Sequence, residues 1–385
     1  MRVASSTYQT DRYDIVIAGG SFAALALARG LSQALPGGVR IAIVDRAAAP
    51  DHYARDERAF AVWAAAKAAL ESLGAWPAIA GSALAMASIE ISDSALGDGV
   101  RPTRLTYDAT TPDGVPAAFM VPAAALHGAL YSLVADDSQI SWFPAAEATG
   151  FEADPFGVRL QLADGRVIHA GLCVAADGRG SKLRDTAGIK TLSWAYDQCG
   201  IVTTVAFSEP HNAVAIQHFL PGGPFAILPL TGDRACITWS CERTEAERIR
   251  ALDDDAFLAE LDKRIAGRFG TVRLAGSRQT WPLDARLPRD LIAERFVLVG
   301  DSAHAVHPIA GQGVNLALRD VAALVEVLAD AMRTGFDAGH HPALERYQRW
   351  RRFDATMSAT AYDCLNRVFS LDNMVVRAGR GAGLG

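Results

Sequence analysis

The sequence predicts an α/β fold (α+β overall) in which a parallel-sheet domain is interleaved with a β-rich one and followed by C-terminal helices. Three observations predict it. Residues 13–44 read strand, helix, strand. Two further apolar strands, ending at Ala175 and Val299, run directly into turns that carry Asp and Gly. Residues 88–119 and 201–239 alternate apolar with polar positions and break at proline and glycine, the pattern of short strands.

Tyr13 to Ala18 is a short apolar run, followed by a glycine turn and an alanine- and leucine-rich helix from Ser21 to Leu35. Pro36-Gly37-Gly38 stops that helix, and Val39 to Val44 is a second buried strand closed by Asp45. The unit is a βαβ crossover, which requires a parallel sheet. Arg58 to Leu73 reads as one helix, ended by Gly74. Helix returns at Ala123 to Asp136. Strands follow at Ala146–Ala153, Gly157–Ala163 and Arg166–Ala175, with an Asp164-Gly165 turn between the last two. Asp253 to Phe269 is an amphipathic helix, Arg295 to Val299 a strand, and Val314 to Met332 and Pro342 to Phe369 are helical in pattern.

Composition sets bounds on function. A chain of 385 residues, half hydrophobic and 21% charged, is ordered and long enough for two domains. A net charge of -6 argues against a nucleic-acid partner, because phosphate binding needs a positive surplus. The five cysteines are scattered and lack metal-site spacing, so reduced cytosolic thiols and no metal centre are expected. Met1 to Asp11 lacks a signal-peptide pattern, and no apolar run reaches the roughly 18 residues of a spanning helix. The expectation is a cytoplasmic protein, at most peripheral to the inner membrane.

Three stretches carry chemistry. The first is Gly19-Gly20-Ser21-Phe22-Ala23-Ala24, a dinucleotide fingerprint whose third and sixth glycine positions hold Ser21 and Ala24. Ser21 adds bulk, but its hydroxyl and the helix N-terminus can both serve a phosphate. Asp45 follows 21 residues after Ala24, at a strand end, where an acid accepts ribose hydroxyls. The second is Asp177-Gly178-Arg179-Gly180-Ser181 with Arg184, at another strand end; it reads equally as a plain capped turn.

The third is the strongest. A strand delivers Gly300-Asp301, a loop follows through His304, His307 and Pro308, and Gly311-Gln312-Gly313-Val314-Asn315 opens a long helix. The free amides and positive end of that helix favour an anion or an electron-rich oxygen, such as the N1 and O2 edge of a reduced flavin. No carboxylate is arranged with His304 or His307, which points to structural roles for both.

In this order the three stretches resemble the group A flavoprotein monooxygenases. The run from His307 through Leu316 to Arg319-Asp320-Val321 resembles the ubiquinone-biosynthesis hydroxylase branch, as do residues 223–230 and 366–370. The resemblance implies a Rossmann-like FAD-binding domain of the glutathione-reductase/aromatic-hydroxylase type, made of residues 1–82, 119–187 and 285–340. A β-rich substrate domain would hold residues 83–118 and 188–284, and a C-terminal helical segment residues 341–385. Gly19, Gly20 and Ser21 would hold the pyrophosphate, Asp45 the adenosine ribose, and Arg58 would lie near the flavin chain. Asp177 and Gly178 would serve FAD and transiently NAD(P)H, and Asp301 the ribityl or pyrophosphate part. Pro308, Gly311, Gln312, Gly313, Val314 and Asn315 would surround the isoalloxazine. At residues 121–124, alanines stand where relatives often carry Asn or Arg facing the cofactor.

The implied reaction is NAD(P)H- and O2-dependent hydroxylation of a phenolic, polyprenylated ring in ubiquinone biosynthesis, through an oxygen adduct at the flavin C4a. A catalytic base is not identified. Phe219, Phe225, Leu228 and Pro229 are candidates for the ring-binding surface, with core packing an equal reading. Trp350, Phe353, Met357, Tyr362 and Phe369, set among arginines, suit either an interfacial helix or one packed on the main domain. A quinone-biosynthesis complex and a homodimer stay open. So do two rivals: a flavin reductase or dehydrogenase without oxygen insertion, and a non-catalytic component of such a complex.

Overall fold

The computed structural model describes residues 12–48, 51–94 and 102–370; the expectations for Met1 to Asp11 and for residues 371–385 fall outside them. Its first sheet has the strand order Ile292–Ala293, Phe296–Leu298, Val167–Ala175, Arg12–Ala18, Ile41–Val44, Ile140–Phe143. The middle four of these and the last pair in parallel, as the βαβ pattern requires. Gly157–Leu162 and Ala148–Asp154 add an antiparallel hairpin beside Val167–Ala175.

Helix Phe22–Ala34 is buried on nearly every side, which is why its sequence is alanine and leucine rather than amphipathic. It packs on helix Gly313–Arg333, and a Cβ at Gly30 would lie 2.8 Å from Val325. That contact needs glycine. Both helices cover the parallel sheet in one core with Ile15, Ile17, Ile43 and Leu298.

A second sheet runs Val272–Leu274, Thr191–Phe207, Arg234–Glu242, Gly223–Pro229, Val214–Leu220, Ser88–Asp93, Leu105–Asp108, with Gln279–Pro288 paired to Thr191–Phe207. One face packs on helices Arg243–Arg250 and Asp254–Ile265 through Phe225, Trp239, Ile249 and Phe257. The other face turns toward the edge of the first sheet.

The segment from Arg58 to Leu73 departs from expectation. Ala59–Trp63 is a strand, antiparallel to Ala118–Pro122, and only Ala64–Ser72 is helical. Alanine favours helix locally, but a partner strand satisfies the backbone of residues 59–63 and buries Val62. Arg58 therefore opens a strand that borders the cavity described next. The C-terminal helix His341–Ser370 packs through Leu344, Tyr347, Ala355 and Ala359. Among the described residues no helix is long and apolar enough to cross a membrane.

Candidate functional site

Four neighbouring parallel strands bring the three motifs and Asp45 to one edge of the first sheet. Asp301, Asp177, Gly19 and Asp45 lie just beyond the C-terminal ends of Phe296–Leu298, Val167–Ala175, Arg12–Ala18 and Ile41–Val44, the edge where α/β sheets bind ligands. A cavity of about 740 Å³ runs along this edge and on to the free face of the second sheet.

At the first motif, Gly19 has φ +111°, and a Cβ there would lie 2.2 Å from the Ala176 carbonyl oxygen. A Cβ on Gly20 would lie 2.2 Å from the Asp45 carboxylate. Both glycines are thus required by the chain's own packing. Ser21 N-caps helix Phe22–Ala34 without a side-chain cap bond and lines the cavity, so the first-turn amides face a space fit for an anion. Asp45 is buried and accepts the Tyr53 hydroxyl at 3.1 Å. Tyr53 stacks on His127 at 3.9 Å, and His127 bonds the Gly20 carbonyl. Burial, reinforced by Asp45, pushes the Tyr53 pKa up, so its phenol stays neutral. Neither aromatic residue was legible as a site residue, since nothing in the chain near them marks the contact.

The second motif divides. Gly178 and Arg179 line the cavity, whereas Asp177 is not part of its wall. Its carboxyl pKa is raised by burial, which Ser181 offsets only in part, and its Oδ1 is buried without a hydrogen-bond partner. Arg184, fully buried, donates to the carbonyls of Ser302 at 3.1 Å and Arg179 at 3.2 Å, tying the second motif to the third.

At the third motif Gly300 takes φ +66° and Asp301 projects exposed into the cavity. Pro308, Gly311, Gly313 and Val314 line it as well. Helix Gly313–Arg333 begins at Gln312 without a side-chain cap bond, and open space lies before Gly313. Gln312 and Asn315 are not in the wall. Asn315 is buried, donating to the Ala61 carbonyl at 2.8 Å and accepting from the Trp63 amide at 3.1 Å. These bonds tie the helix start to strand Ala59–Trp63. Arg58 faces the cavity between Phe60 and Trp281, held by Asp56 at 2.6 Å.

One expectation about the histidines is corrected. His304 does have a carboxylate partner: Asp320 Oδ2 lies 2.6 Å from its Nε2, and Asp320 Oδ1 accepts from Arg351 at 2.6 Å. The partner is 16 residues away in sequence, so only helix packing brings it there. Asp320 also accepts the Gly300 amide at 2.9 Å, so the trio underlies the turn that presents Asp301. His307 accepts the Ile309 amide, and burial pushes its imidazole down to about 4. Among the described residues no cluster suits a metal ion.

Of the four ring-surface candidates, Phe219 and Leu228 line the cavity. Phe225 and Pro229 do not; Phe225 packs on Trp239 behind the sheet. Composition could not choose the face, because successive strand side chains alternate.

A cofactor cradle at a parallel sheet edge, opening onto the largely apolar face of a second sheet, defines a two-part flavin monooxygenase fold. The chain belongs to the FAD binding domain family, whose model matches residues 12–357. FAD is its cofactor, and the two glycines without room for a Cβ, with two uncapped helix N-termini, fit that molecule's phosphates and electron-rich ring. It is 35% identical to the ubiquinone hydroxylase UbiL of Rhodospirillum rubrum over 376 residues, covering 97% of this chain and 85% of that one. It is 30% identical to the 3-demethoxyubiquinol 3-hydroxylase of Escherichia coli over 377 residues, covering 96% and 93%. Among solved structures, pqsL of Pseudomonas aeruginosa, described as a probable FAD-dependent monooxygenase, superposes with a TM-score of 0.80 at 22% identity, covering 97% of this chain and 99% of that one. That last likeness concerns the fold.

Proposed function

We propose that this FAD-dependent hydroxylase inserts oxygen into a polyprenylated phenolic ring during ubiquinone biosynthesis. The observation that carries the reading is the continuity of one cavity, from the Ser21 and Gly313 helix ends across the second sheet to Leu365 and Phe369 on the C-terminal helix. The names of the ubiquinone-pathway relatives support the same substrate class.

Bound FAD supplies hydride acceptance from NAD(P)H and transfer of an oxygen atom from O2. The chain's own residues do the rest. Gly19, Gly20 and Ser21 would hold the pyrophosphate and Asp301 the ribityl side. The Gly313 helix terminus would steady negative charge on the ring system. Phe219, Ala226, Leu228 and Ile91 form a dry wall that orients the substrate ring and keeps water out. Purified protein given NAD(P)H, a prenylated phenol and isotopically labelled O2 is expected to oxidise NAD(P)H faster with the phenol and to place label in the product. Peroxide release without labelled product would favour the reductase reading. Protein that neither carries nor takes up flavin would favour the non-catalytic one.

An exposed stripe of the C-terminal helix supports peripheral membrane contact. Trp350, Phe353 and Met357 are 42%, 73% and 55% exposed at helical spacing, with Arg349 and Arg352 beside them, and Leu365 farther along is both exposed and in the cavity wall. Phe369 instead packs inward on Phe219 at 4.0 Å. Phe353→Glu with Met357→Glu is expected to lower binding to anionic phospholipid vesicles about tenfold or more, read by co-sedimentation, with unchanged thermal stability. Equal sedimentation of both proteins would remove this face from the proposal.

A further inference from the structure

The free face of the second sheet carries, among the apolar residues named above, two polar side chains with no part yet in the proposed reaction. Ile91, Gln217, Ala226, Thr238 and Val202 stand opposite one another on five adjacent strands, forming a single cross-strand row. All five line the cavity. The row reads apolar, amide, small, hydroxyl, apolar. With strands about 4.8 Å apart, Gln217 and Thr238 flank Ala226 across about 10 Å, the span of an aromatic ring with its substituents. Ala226 leaves the middle open, because any larger side chain there would fill the space between them.

The Gln217 Nε2 is buried and has no hydrogen-bond partner within the described chain. A buried donor with nothing to bond is unfavourable, and a ring oxygen would satisfy it. In the neighbouring rows Ile89, Ala215 and Leu228 line the cavity on one side and Phe219, Pro224 and Ser240 on the other, the latter row ending at Asp93, an anion rather than a counter-ion for a carboxylate.

Charge gives the second half of the argument. The cationic side chains in the described wall are Arg58 and Arg179, and each is already paired, to Asp56 at 2.6 Å and to Asp284 at 2.9 Å. The ring-sized row holds no charged residue. A carboxylate on the substrate ring would lose its hydration there without gaining a counter-ion, which is unfavourable.

We infer that Gln217 and Thr238, set on either side of Ala226, form the ring-binding subsite, and that it selects an oxygen-substituted ring bearing no carboxylate. This rests on the phenol-hydroxylase reading above and narrows its substrate class. Gln217 is a positioning and specificity residue: it holds the ring by an oxygen substituent and takes no part in flavin binding.

The test is calorimetric titration of the FAD-loaded protein with ortho-prenylphenol and with the same ring carrying a para carboxylate. The neutral phenol is expected to bind about tenfold or more tightly than the acid. Gln217→Leu should weaken phenol binding about five- to tenfold while flavin content stays at the wild-type level. Gln217→Arg, which supplies the missing cation, should reverse the order of the two ligands, a change that loose packing would not produce. Equal affinity of the wild-type protein for acid and phenol overturns the charge selection. Unchanged phenol affinity in Gln217→Leu, or an unreversed order in Gln217→Arg, overturns the subsite. If the FAD-loaded protein binds neither probe, the phenol-hydroxylase reading itself falls, a result distinct from the other three.

Discussion

Replacing Asp320 with Ala is expected to destabilise the protein by about 3 kcal/mol or more, measured by chemical denaturation of the FAD-free chain. Asp320 is completely buried and takes three donors: His304, Arg351 and the Gly300 amide. Its loss leaves Arg351 with Asp354 at 2.7 Å as its remaining carboxylate and strands the Gly300 N–H. The pH dependence has a definite sign. Burial alone would raise the Asp320 pKa, but His304 and Arg351 outweigh it and hold the carboxyl below its ordinary range. Its contribution is therefore present above about pH 4 and is lost as pH falls through the depressed value. Burial alone would lower the His304 pKa, but Asp320 outweighs it and holds the imidazole above its ordinary value. That contribution is full below about pH 6.5 and is lost as pH rises through the raised value. The wild-type trio thus adds most between those limits. Asp320→Asn should flatten the stability profile at both ends, and a profile of unchanged shape would show that the trio does not set it.

The second large effect concerns the cofactor. Asp301→Ala is expected to weaken FAD binding by about one to two orders of magnitude, the loss of charge-assisted hydrogen bonds from ribityl or ribose hydroxyls. Asp301 is exposed to the cavity and is bonded to nothing else within the described chain. The variant's apo form should therefore unfold with the wild-type midpoint while FAD titration, followed by flavin fluorescence, shifts. An unchanged FAD dissociation constant would take Asp301 out of the site. The two variants separate cleanly: Asp320 acts on the support of the turn, Asp301 on the ligand.

Much of this was legible before the fold. Gly19, Gly20 and Ser21, and the run from Gly300 to Val314, announce themselves because turns and helix starts are local structures, set by residues within a few positions of one another. The long-range partners were not legible. The Asp320 carboxylate reaches His304 only because helix Gly313–Arg333 lies against the preceding turn. Tyr53 reaches Asp45, and His127 reaches Gly20, from separate elements. The Asn315 side chain bonds the backbone of a strand more than 250 residues away, a contact no local pattern announces. The Arg58 segment misled because alanine's helix preference is local and its strand partner at Ala118–Pro122 is not.

The sequence by itself determined the parallel α/β framework, the flavin family and the three stretches proposed to hold the cofactor. The framework and the stretches rest on apolar periodicity and on glycine and proline placement, which act over one turn or one crossover; the family rests on the resemblance of the motifs. The tertiary structure alone decided which face of the second sheet meets the cavity, and so why Phe219 and Leu228 line it while Phe225 does not. It also decided the row that brings Gln217 and Thr238 to either side of Ala226. The physical reason is register: strand residues alternate between faces, and only the pairing of distant strands settles which neighbours share one.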